Sequence, residues 1–228
     1  MKVIDVTGTI RNGMWSFGSL FPQPYIEEAS GYCEGFGEYF YTQIKGMHAQ
    51  VGTYIETPAH FYGFENSYLV DDIPIEKLTD VGCVVLKVEK DILDTGSKAV
   101  ITKEDLVNAK NSAYIQPGDC VVVHCGWERY WMRDDIFFPR SPYFTSEAMH
   151  WIIEKQPSIL ATDTPAWENL GEDPEGFFPD FYAANILMLV PLCNLDAVTK
   201  PRVKLTALPL KVEGVAASPC RVIIKEDA

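Results

Sequence analysis

The stretch that decides the fold is residues 48–61, which read HAQVGTYIETPAHF. Side chains of an extended chain alternate between two faces, so polar and apolar residues with a period of two predict a half-buried strand. Gln50, Tyr54 and Glu56 share one face in this pattern, whereas Ile55 lies on the other. We therefore predict an extended segment with one face in the core and a row of hydrogen-bonding groups on the other.

Pro58 is expected to end the regular strand, because proline lacks the N–H group that a sheet requires. His60 follows two residues later and is expected on the next turn. The stretch thus places a carboxylate, an imidazole, an amide and a phenol close together in the sequence. Groups of these types form polar binding or catalytic sites.

The residues Gly52-Thr53, Glu56, Pro58 and His60-Phe61 resemble the signature of the cyclase family of metal-dependent hydrolases. That family includes bacterial kynurenine formamidase and isatin hydrolase, and its signature reads His-x-Gly-Thr-His-x-Asp-x-Pro-x-His. The glycine, the threonine, the proline and the last histidine of the signature are present here.

The other signature positions differ. The first histidine position falls on Gln50, the second on Tyr54, and the aspartate position on Glu56. The family also carries a glutamate ligand, whose position falls on Val190 or Pro191, and an acid/base histidine upstream of it. Residues 180–189 contain no histidine.

Further stretches resemble the family in the same order along the chain, and they are residues 119–127, Asp163-Thr164-Pro165, Asn194-Leu195-Asp196, residues 207–210 and residues 218–221. The resemblance therefore covers nearly the whole chain. It implies an α/β fold with a mixed β-barrel-like sheet and flanking helices, formed by residues 1–228 as one domain. It also implies a homodimer or homotetramer.

Local patterns predict the main elements. Strands are expected at residues 3–6, 39–44, 82–88, 120–124, 158–162 and 188–192, and near the C-terminus. Helices are expected after the capping residues Thr102 and Thr145, and a short helix over residues 180–187. Residues 9–37 are rich in glycine, proline and aromatic residues, and are predicted to form a long ordered loop. This loop is either part of a substrate-pocket wall or a surface loop anchored by its aromatic residues.

Composition limits the class of function. The net charge of −13 argues against nucleic-acid binding and against an anionic membrane surface, but it does not select a substrate. A small-molecule substrate is the partner that the resemblance implies. The six cysteines include no Cys-x-x-Cys pair, as expected for reduced thiols in the cytoplasm. The N-terminus lacks the apolar stretch of a signal peptide, and a cytoplasmic location is expected.

One hypothesis is a hydrolase with a rebuilt metal site. Its ligands are Gln50, Glu56 and His60, with His48 as an alternative to Gln50. An oxygen-rich set of this kind suits Mn²⁺ or Mg²⁺ better than Zn²⁺. The expected catalytic residues are Glu56, His60 and Tyr54, and Tyr54 would donate a hydrogen bond to the developing oxyanion.

The same hypothesis assigns substrate-binding positions to Trp15, His124, Trp127 and Asp163. His124 and Asp163 stand at predicted strand ends, where they would complete the site, and Asp163 is an alternative to Glu56 as the base. The aromatic loop suggests an aromatic or planar substrate.

The second hypothesis needs no metal. In it, Gln50, Tyr54, Glu56 and His60 form a hydrogen-bonding pocket that binds a small polar ligand or catalyses a dehydration or cyclisation. The resemblance itself implies hydrolysis of an amide, a formamide, or a cyclic amide or ester carbonyl.

Overall fold

The computed structural model describes residues 1–88 and 98–227. Its strands are β1 Lys2–Asp5, β2 Tyr25–Cys33, β3 Gly37–Lys45, β4 Tyr54–Glu56, β5 Val81–Lys87, β6 Val100–Ile101, β7 Cys120–His124, β8 Tyr143–Phe144, β9 Ile159–Thr162, β10 Leu187–Val190, β11 Val203–Pro209 and β12 Ala217–Glu226. Its α-helices are α1 Ala59–Tyr62, α2 Lys103–Asn108, α3 Ser146–Glu154 and α4 Phe178–Ala183. Short 3₁₀ turns include Trp127–Tyr130 and Leu195–Ala197.

Seven of the described strands close into a barrel in the order β4-β12-β11-β5-β7-β9-β10, and β4 joins β10 to β12. Strands β5, β7, β9 and β10 are parallel neighbours, whereas the other barrel pairings are antiparallel. Strand β1 pairs with β12 outside the closed ring. This arrangement confirms the predicted α/β fold with a mixed β-barrel-like sheet and flanking helices.

The parallel strands are covered on both faces, which explains their continuous apolar sequences. Strand β7, with the sequence CVVVH, is buried along its whole length. One apolar cluster fills the barrel and includes Val85, Val122 and Ala161. The other lies outside it, where Val84 and Val121 pack with residues of α2, α3 and α4.

The helices begin where the capping signals predict. The Thr102 hydroxyl accepts from the Asp105 N–H, and the Asp105 carboxylate accepts from the Thr102 N–H. Helix α3 follows Thr145, whose hydroxyl accepts from the Ala148 N–H at 3.1 Å. Within residues 1–88 and 98–227, none of the helices combines the length and the apolar character of a membrane span.

Strand β4 closes the barrel with only three residues. Ile55 pairs with Leu189 on one side and with Ser218 on the other. Its side chain is fully buried in the barrel interior, so the side chains of Tyr54 and Glu56 point to the outer face. The strand that completes the sheet therefore also presents the polar residues of the signature.

The signature residues Gly52 and Thr53 hold this strand in place. The Thr53 hydroxyl accepts from the Gly8 N–H at 2.8 Å and donates to the Pro191 carbonyl at 2.6 Å. Gly52 has a φ of +68°, and a Cβ there would lie 2.8 Å from the Ile10 side chain. Gly52 is required for the turn, and Thr53 for two hydrogen bonds to the backbone. Both residues match the signature, although the residues that face outward from β4 differ from it.

The extended conformation predicted for residues 48–56 is wrong for the part before Tyr54. The Val51 N–H donates to the His48 carbonyl at 3.2 Å, so the chain turns there before β4 begins. The positive φ of Gly52 supports that turn. The side chain of Gln50 therefore does not follow the alternation of a strand. The turn nevertheless brings it to the same side as Glu56.

The long loop predicted for residues 9–37 is wrong over its second half. Strands β2 and β3 form a two-stranded hairpin from Tyr25 paired with Lys45 to Cys33 paired with Gly37. The prolines of this region all precede the hairpin, and the glycines at its tip have positive φ values. Phe40 and Tyr32 of the hairpin are exposed. The expected homodimer or homotetramer stays a prediction.

We predict that Thr53→Val, which keeps the shape of the side chain, lowers the free energy of unfolding by about 2–6 kcal/mol. The reason is that the Gly8 N–H and the Pro191 carbonyl both lose a buried partner, at about 1–3 kcal/mol each. Urea denaturation followed by circular dichroism measures the change.

Thr57→Val is the matched control in the same stretch. The Thr57 hydroxyl donates to the Ala216 carbonyl at 3.2 Å, but that carbonyl also accepts from the Thr57 N–H at 2.9 Å. Thr57→Val should lower the free energy of unfolding by less than about 1 kcal/mol, because no hydrogen-bonding group is left without a partner. Equal losses in the two variants would contradict the anchoring role of Thr53.

Candidate active-site pocket

A cavity of about 560 Å³ opens on the outer face of β4 and β10, and we call it the aromatic pocket. Its lining residues are Phe17, Leu20, Phe21, Gln50, Tyr54, Glu56, His60, Phe61, Phe138, Pro165, Ala166, Trp167, Glu168, Phe178, Tyr182 and Met188. The volume lies in the range of small-molecule sites, and such sites combine an apolar lining with a few converging polar groups. Here the rings supply the apolar walls and the signature residues supply the polar groups.

Three of the predicted site residues meet on one wall of this pocket. Gln50 Nε2 donates to Glu56 Oε2 at 3.2 Å, and His60 Nδ1 lies 3.7 Å from the same oxygen. The Glu56 side chain is only 3% exposed, whereas that of His60 is 48% exposed. The carboxylate is therefore held inside the wall, and the imidazole stands at the opening.

Tyr182 of α4 completes the group and was not predicted from the sequence. Its hydroxyl donates to Glu56 Oε1 at 2.5 Å. Its ring stacks on Phe61 and on Phe178, with 5.6 Å between centroids in each pair, which fixes the hydroxyl on the carboxylate. Its position in the sequence was the one feature that could have indicated its role, because it lies in the segment where the resemblance implies an acid/base histidine.

Burial controls the protonation of these groups. Removal from water raises the pKa of Glu56 above its usual value, although the charge of His60 and the hydrogen bonds from Tyr182 and Gln50 act in the opposite direction. Burial also raises the pKa of Tyr182 and Tyr54 far above the usual value of a phenol. Both tyrosines are thus neutral hydrogen-bond donors at any physiological pH.

Tyr54 lines the pocket beside Glu56, and its side chain is largely buried. Within the described residues, no hydrogen bond to its hydroxyl is formed, whereas the Tyr182 hydroxyl is engaged with Glu56. The Tyr54 O–H is therefore the donor available to a ligand in the pocket.

These residues do not fit the divalent metal ion that the resemblance implies at this position. Zinc and similar ions need about three good ligands, and Gln50 and Tyr54 stand where the signature has imidazoles. Gln50 turns its amide N–H toward Glu56, and the Tyr182 hydroxyl donates to the other carboxylate oxygen, so both neighbours act as hydrogen-bond donors here. Only Glu56 and His60 remain as usual ligands, so the arrangement is a hydrogen-bonded network.

His48, the alternative to Gln50, does not approach Glu56. Its ring stacks on Phe21 with 4.6 Å between centroids, and its Nδ1 accepts from the Gln50 N–H at 3.3 Å. Burial lowers the pKa of His48. It supports the turn before β4 and leaves the position beside Glu56 to Gln50.

The two predicted tryptophans lie in the core rather than along the pocket. Trp127 is fully buried, and its indole N–H donates to the Phe137 carbonyl at 2.9 Å. Trp15 is also buried and packs edge-on against Trp131 and Phe17, the latter a pocket residue. Trp15 thus supports the pocket wall from behind.

His124 and Asp163 meet each other but not the aromatic pocket. His124 ends β7 and Asp163 follows β9, so both lie at the carboxyl ends of the parallel strands. His124 Nε2 lies 3.8 Å from Asp163 Oδ2. Neither residue is among those that line the aromatic pocket.

Residues 4–169 match the model of a protein family described as "Putative cyclase". A search of curated proteins found no significant match.

Several solved structures share the fold at low sequence identity. A potential metal-dependent hydrolase with cyclase activity has a TM-score of 0.73 and 23% identity, with 99% of each chain covered. Isatin hydrolase A from Ralstonia solanacearum has a TM-score of 0.77 and 23% identity, covering 98% of this chain and 91% of the other. An isatin hydrolase bound to the product analogue thioisatinate has a TM-score of 0.80 and 20% identity, with the same coverage.

We predict that Tyr182→Phe raises the pKa of Glu56 further. The substitution removes a hydroxyl that donates to the charged carboxylate and favours ionisation, while the phenyl ring keeps the packing. A ¹³C NMR titration of the labelled Glu56 carboxyl group measures the shift.

Tyr62→Phe is the matched control, since the Tyr62 hydroxyl donates to the Pro179 carbonyl at 3.2 Å and does not contact Glu56. It should leave the pKa of Glu56 unchanged. An unchanged Glu56 titration in Tyr182→Phe would show that this hydroxyl does not control the carboxylate.

Proposed function

This chain belongs to the cyclase family, and from that premise we propose that it is a hydrolase of a small amide, formamide, or cyclic amide or ester, with the aromatic pocket as its active site. The observation that carries the proposal is a buried carboxylate, Glu56, held between Gln50 and Tyr182 in the wall of an aromatic cavity. The isatin hydrolase among the similar structures supports a planar cyclic amide as the substrate type.

Glu56 is the proposed general base. A raised pKa brings a carboxyl group closer to neutral pH, where it accepts a proton from water more effectively. The second lone pair of Oε2, the oxygen that faces Gln50 and His60, is the acceptor for that proton. Tyr182 holds the other oxygen, so the carboxylate keeps one orientation during the reaction.

The water oxygen then forms a bond to the substrate carbonyl carbon, and negative charge develops on the carbonyl oxygen. The Tyr54 hydroxyl is the proposed donor to this oxyanion, because it lines the pocket and stays protonated. As the bond from carbon to the leaving nitrogen or oxygen breaks, the proton taken by Glu56 passes to the leaving atom. His60 stands at the opening, where it can relay that proton.

The walls support the choice of a flat substrate. Phe17, Phe138, Trp167 and Phe178 surround the polar wall and exclude water from a planar ring placed between them. Phe17 packs edge-on against Phe138 with 5.1 Å between ring centroids, so two chain segments that are distant in sequence form this wall together.

The same network also suits a reaction without a water nucleophile. Glu56 supplies a base and Tyr54 supplies a free donor on the same wall of the pocket, which is the pair that a dehydration or cyclisation needs. Product analysis separates the two, since hydrolysis adds one water molecule to the substrate and a dehydration removes one.

We predict that Glu56→Gln lowers kcat/KM by about 10²-fold or more, the usual effect of losing a general base. The test uses a panel of aromatic formamides, cyclic amides and lactones, with product mass measured for each. His60→Ala should also abolish turnover, and both variants should keep the wild-type circular dichroism spectrum.

His150→Ala is the matched control for His60→Ala. His150 is an exposed residue of α3 that pairs with Asp180 at 2.8 Å, away from the aromatic pocket. Its turnover should equal that of the wild type. Wild-type turnover in Glu56→Gln would remove this pocket from the reaction.

A further inference from the structure

A second cluster of polar residues occupies the mouth of the barrel, where the parallel strands end. His124 is the last residue of β7, Asp163 directly follows β9, and Glu128 lies in the 3₁₀ turn Trp127–Tyr130. One ligand atom from each of these residues lies within 4.8 Å of the other two. We call this group the barrel-mouth cluster, and the proposed reaction does not use it.

The protein fixes two of these side chains from outside the cluster. The Asp163 carboxylate accepts from the Cys125 N–H at 2.9 Å and from the Trp127 N–H at 2.5 Å. Glu128 Oε1 accepts from the Leu195 N–H at 3.3 Å. Each carboxylate oxygen has two acceptor positions, so the inward-facing positions stay available.

The inward-facing atoms lack a hydrogen-bond partner. Among the described residues, neither His124 Nε2 nor Glu128 Oε2 makes a hydrogen bond, although the two atoms are buried and only 3.2 Å apart. The His124 side chain is 5% exposed. Burying an imidazole nitrogen and a carboxylate oxygen without a hydrogen bond costs folding free energy, unless a third group binds both atoms.

The charge of the cluster is also unbalanced. Two carboxylates, Asp163 and Glu128, face one imidazole, and Asp196 adds a third at 3.9 Å from His124 Nδ1. Lys87 is a nearby cation, but its Nζ lies 3.8 Å from Asp196 rather than beside the buried acids. Among the described residues, no lysine or arginine side chain forms an ion pair with Asp163 or Glu128, so the two buried acids share one imidazole.

We propose that His124 Nε2, Glu128 Oε2 and Asp163 Oδ2 bind one divalent cation. One imidazole and two carboxylates form a ligand set typical of Zn²⁺ and Mn²⁺ sites, and three protein ligands leave positions for water. The Asp196 carboxylate near Nδ1 favours a proton on that nitrogen, which directs the lone pair of Nε2 into the cluster.

Such an ion connects three segments of the chain. It joins the end of β7, the turn after β9 and, through Glu128 and Leu195, the 3₁₀ turn Leu195–Ala197. Its effect is therefore on stability, and it is independent of the chemistry proposed for the aromatic pocket.

The experiment titrates purified, chelator-treated protein with Mn²⁺ alone and with Zn²⁺ alone by isothermal calorimetry, and follows the melting temperature at each concentration. We expect one ion per chain and a melting temperature that rises with metal concentration, because the ion binds the folded state. Glu128→Gln keeps the size of a partly exposed side chain. It should weaken metal binding by at least about tenfold, and the metal-induced rise in melting temperature should become correspondingly smaller.

Glu56→Gln is the matched control, since it makes the same chemical change in the aromatic pocket. It should bind the ion as the wild type does. Absence of binding by the wild type would overturn the proposal. Binding that survives in Glu128→Gln but is lost in Glu56→Gln would also overturn it, and would place the ion in the aromatic pocket.

Discussion

The closure of the barrel through β4 is the constraint on which the other features depend. This three-residue strand must pair with β10 on one side and with β12 on the other. A strand hydrogen-bonded on both sides has no freedom of register, because a shift by one residue would expose Ile55 and bury two polar side chains in the barrel. Tyr54 and Glu56 are therefore directed outward as a consequence of how the sheet closes.

The closure also explains which signature residues serve the fold and which serve the site. Thr53 joins the N-terminal segment to the end of β10 by two hydrogen bonds, and Gly52 makes the turn that delivers the chain to β4. These backbone requirements do not depend on what the pocket binds. Gln50 and Tyr54 face the pocket, so they can differ from the signature without loss of the barrel.

The molecule buries carboxylates in two places and satisfies them differently. Glu56 receives a phenol and an amide, which are neutral donors, and they oppose the rise in its pKa that burial causes. In the barrel-mouth cluster, burial and the neighbouring Glu128 raise the pKa of Asp163 to about 7, against the effect of His124, which lowers it. Glu56 has a neutral donor on each carboxylate oxygen, whereas, among the described residues, Glu128 Oε2 in the barrel-mouth cluster lacks a hydrogen-bond partner.

The sequence by itself predicted the fold class through the resemblance of its motifs to a family. Local patterns predicted the apolar strands over residues 82–88, 120–124, 158–162 and 188–192, the caps of α2 and α3, and the stretch that carries Gln50, Glu56 and His60. These are local properties, since periodicity, turn residues and capping groups act over a few neighbouring positions. It predicted the strand at residues 39–44 but not β2 or the pairing of β2 with β3, because the glycines and aromatic residues that are typical of a loop also suit an exposed strand. Only the tertiary structure decided that Tyr182 holds Glu56 and that His124, Glu128 and Asp163 share one buried space. Those contacts join residues up to 126 positions apart, and only the closure of the barrel and the packing of α4 against it bring them within hydrogen-bonding distance.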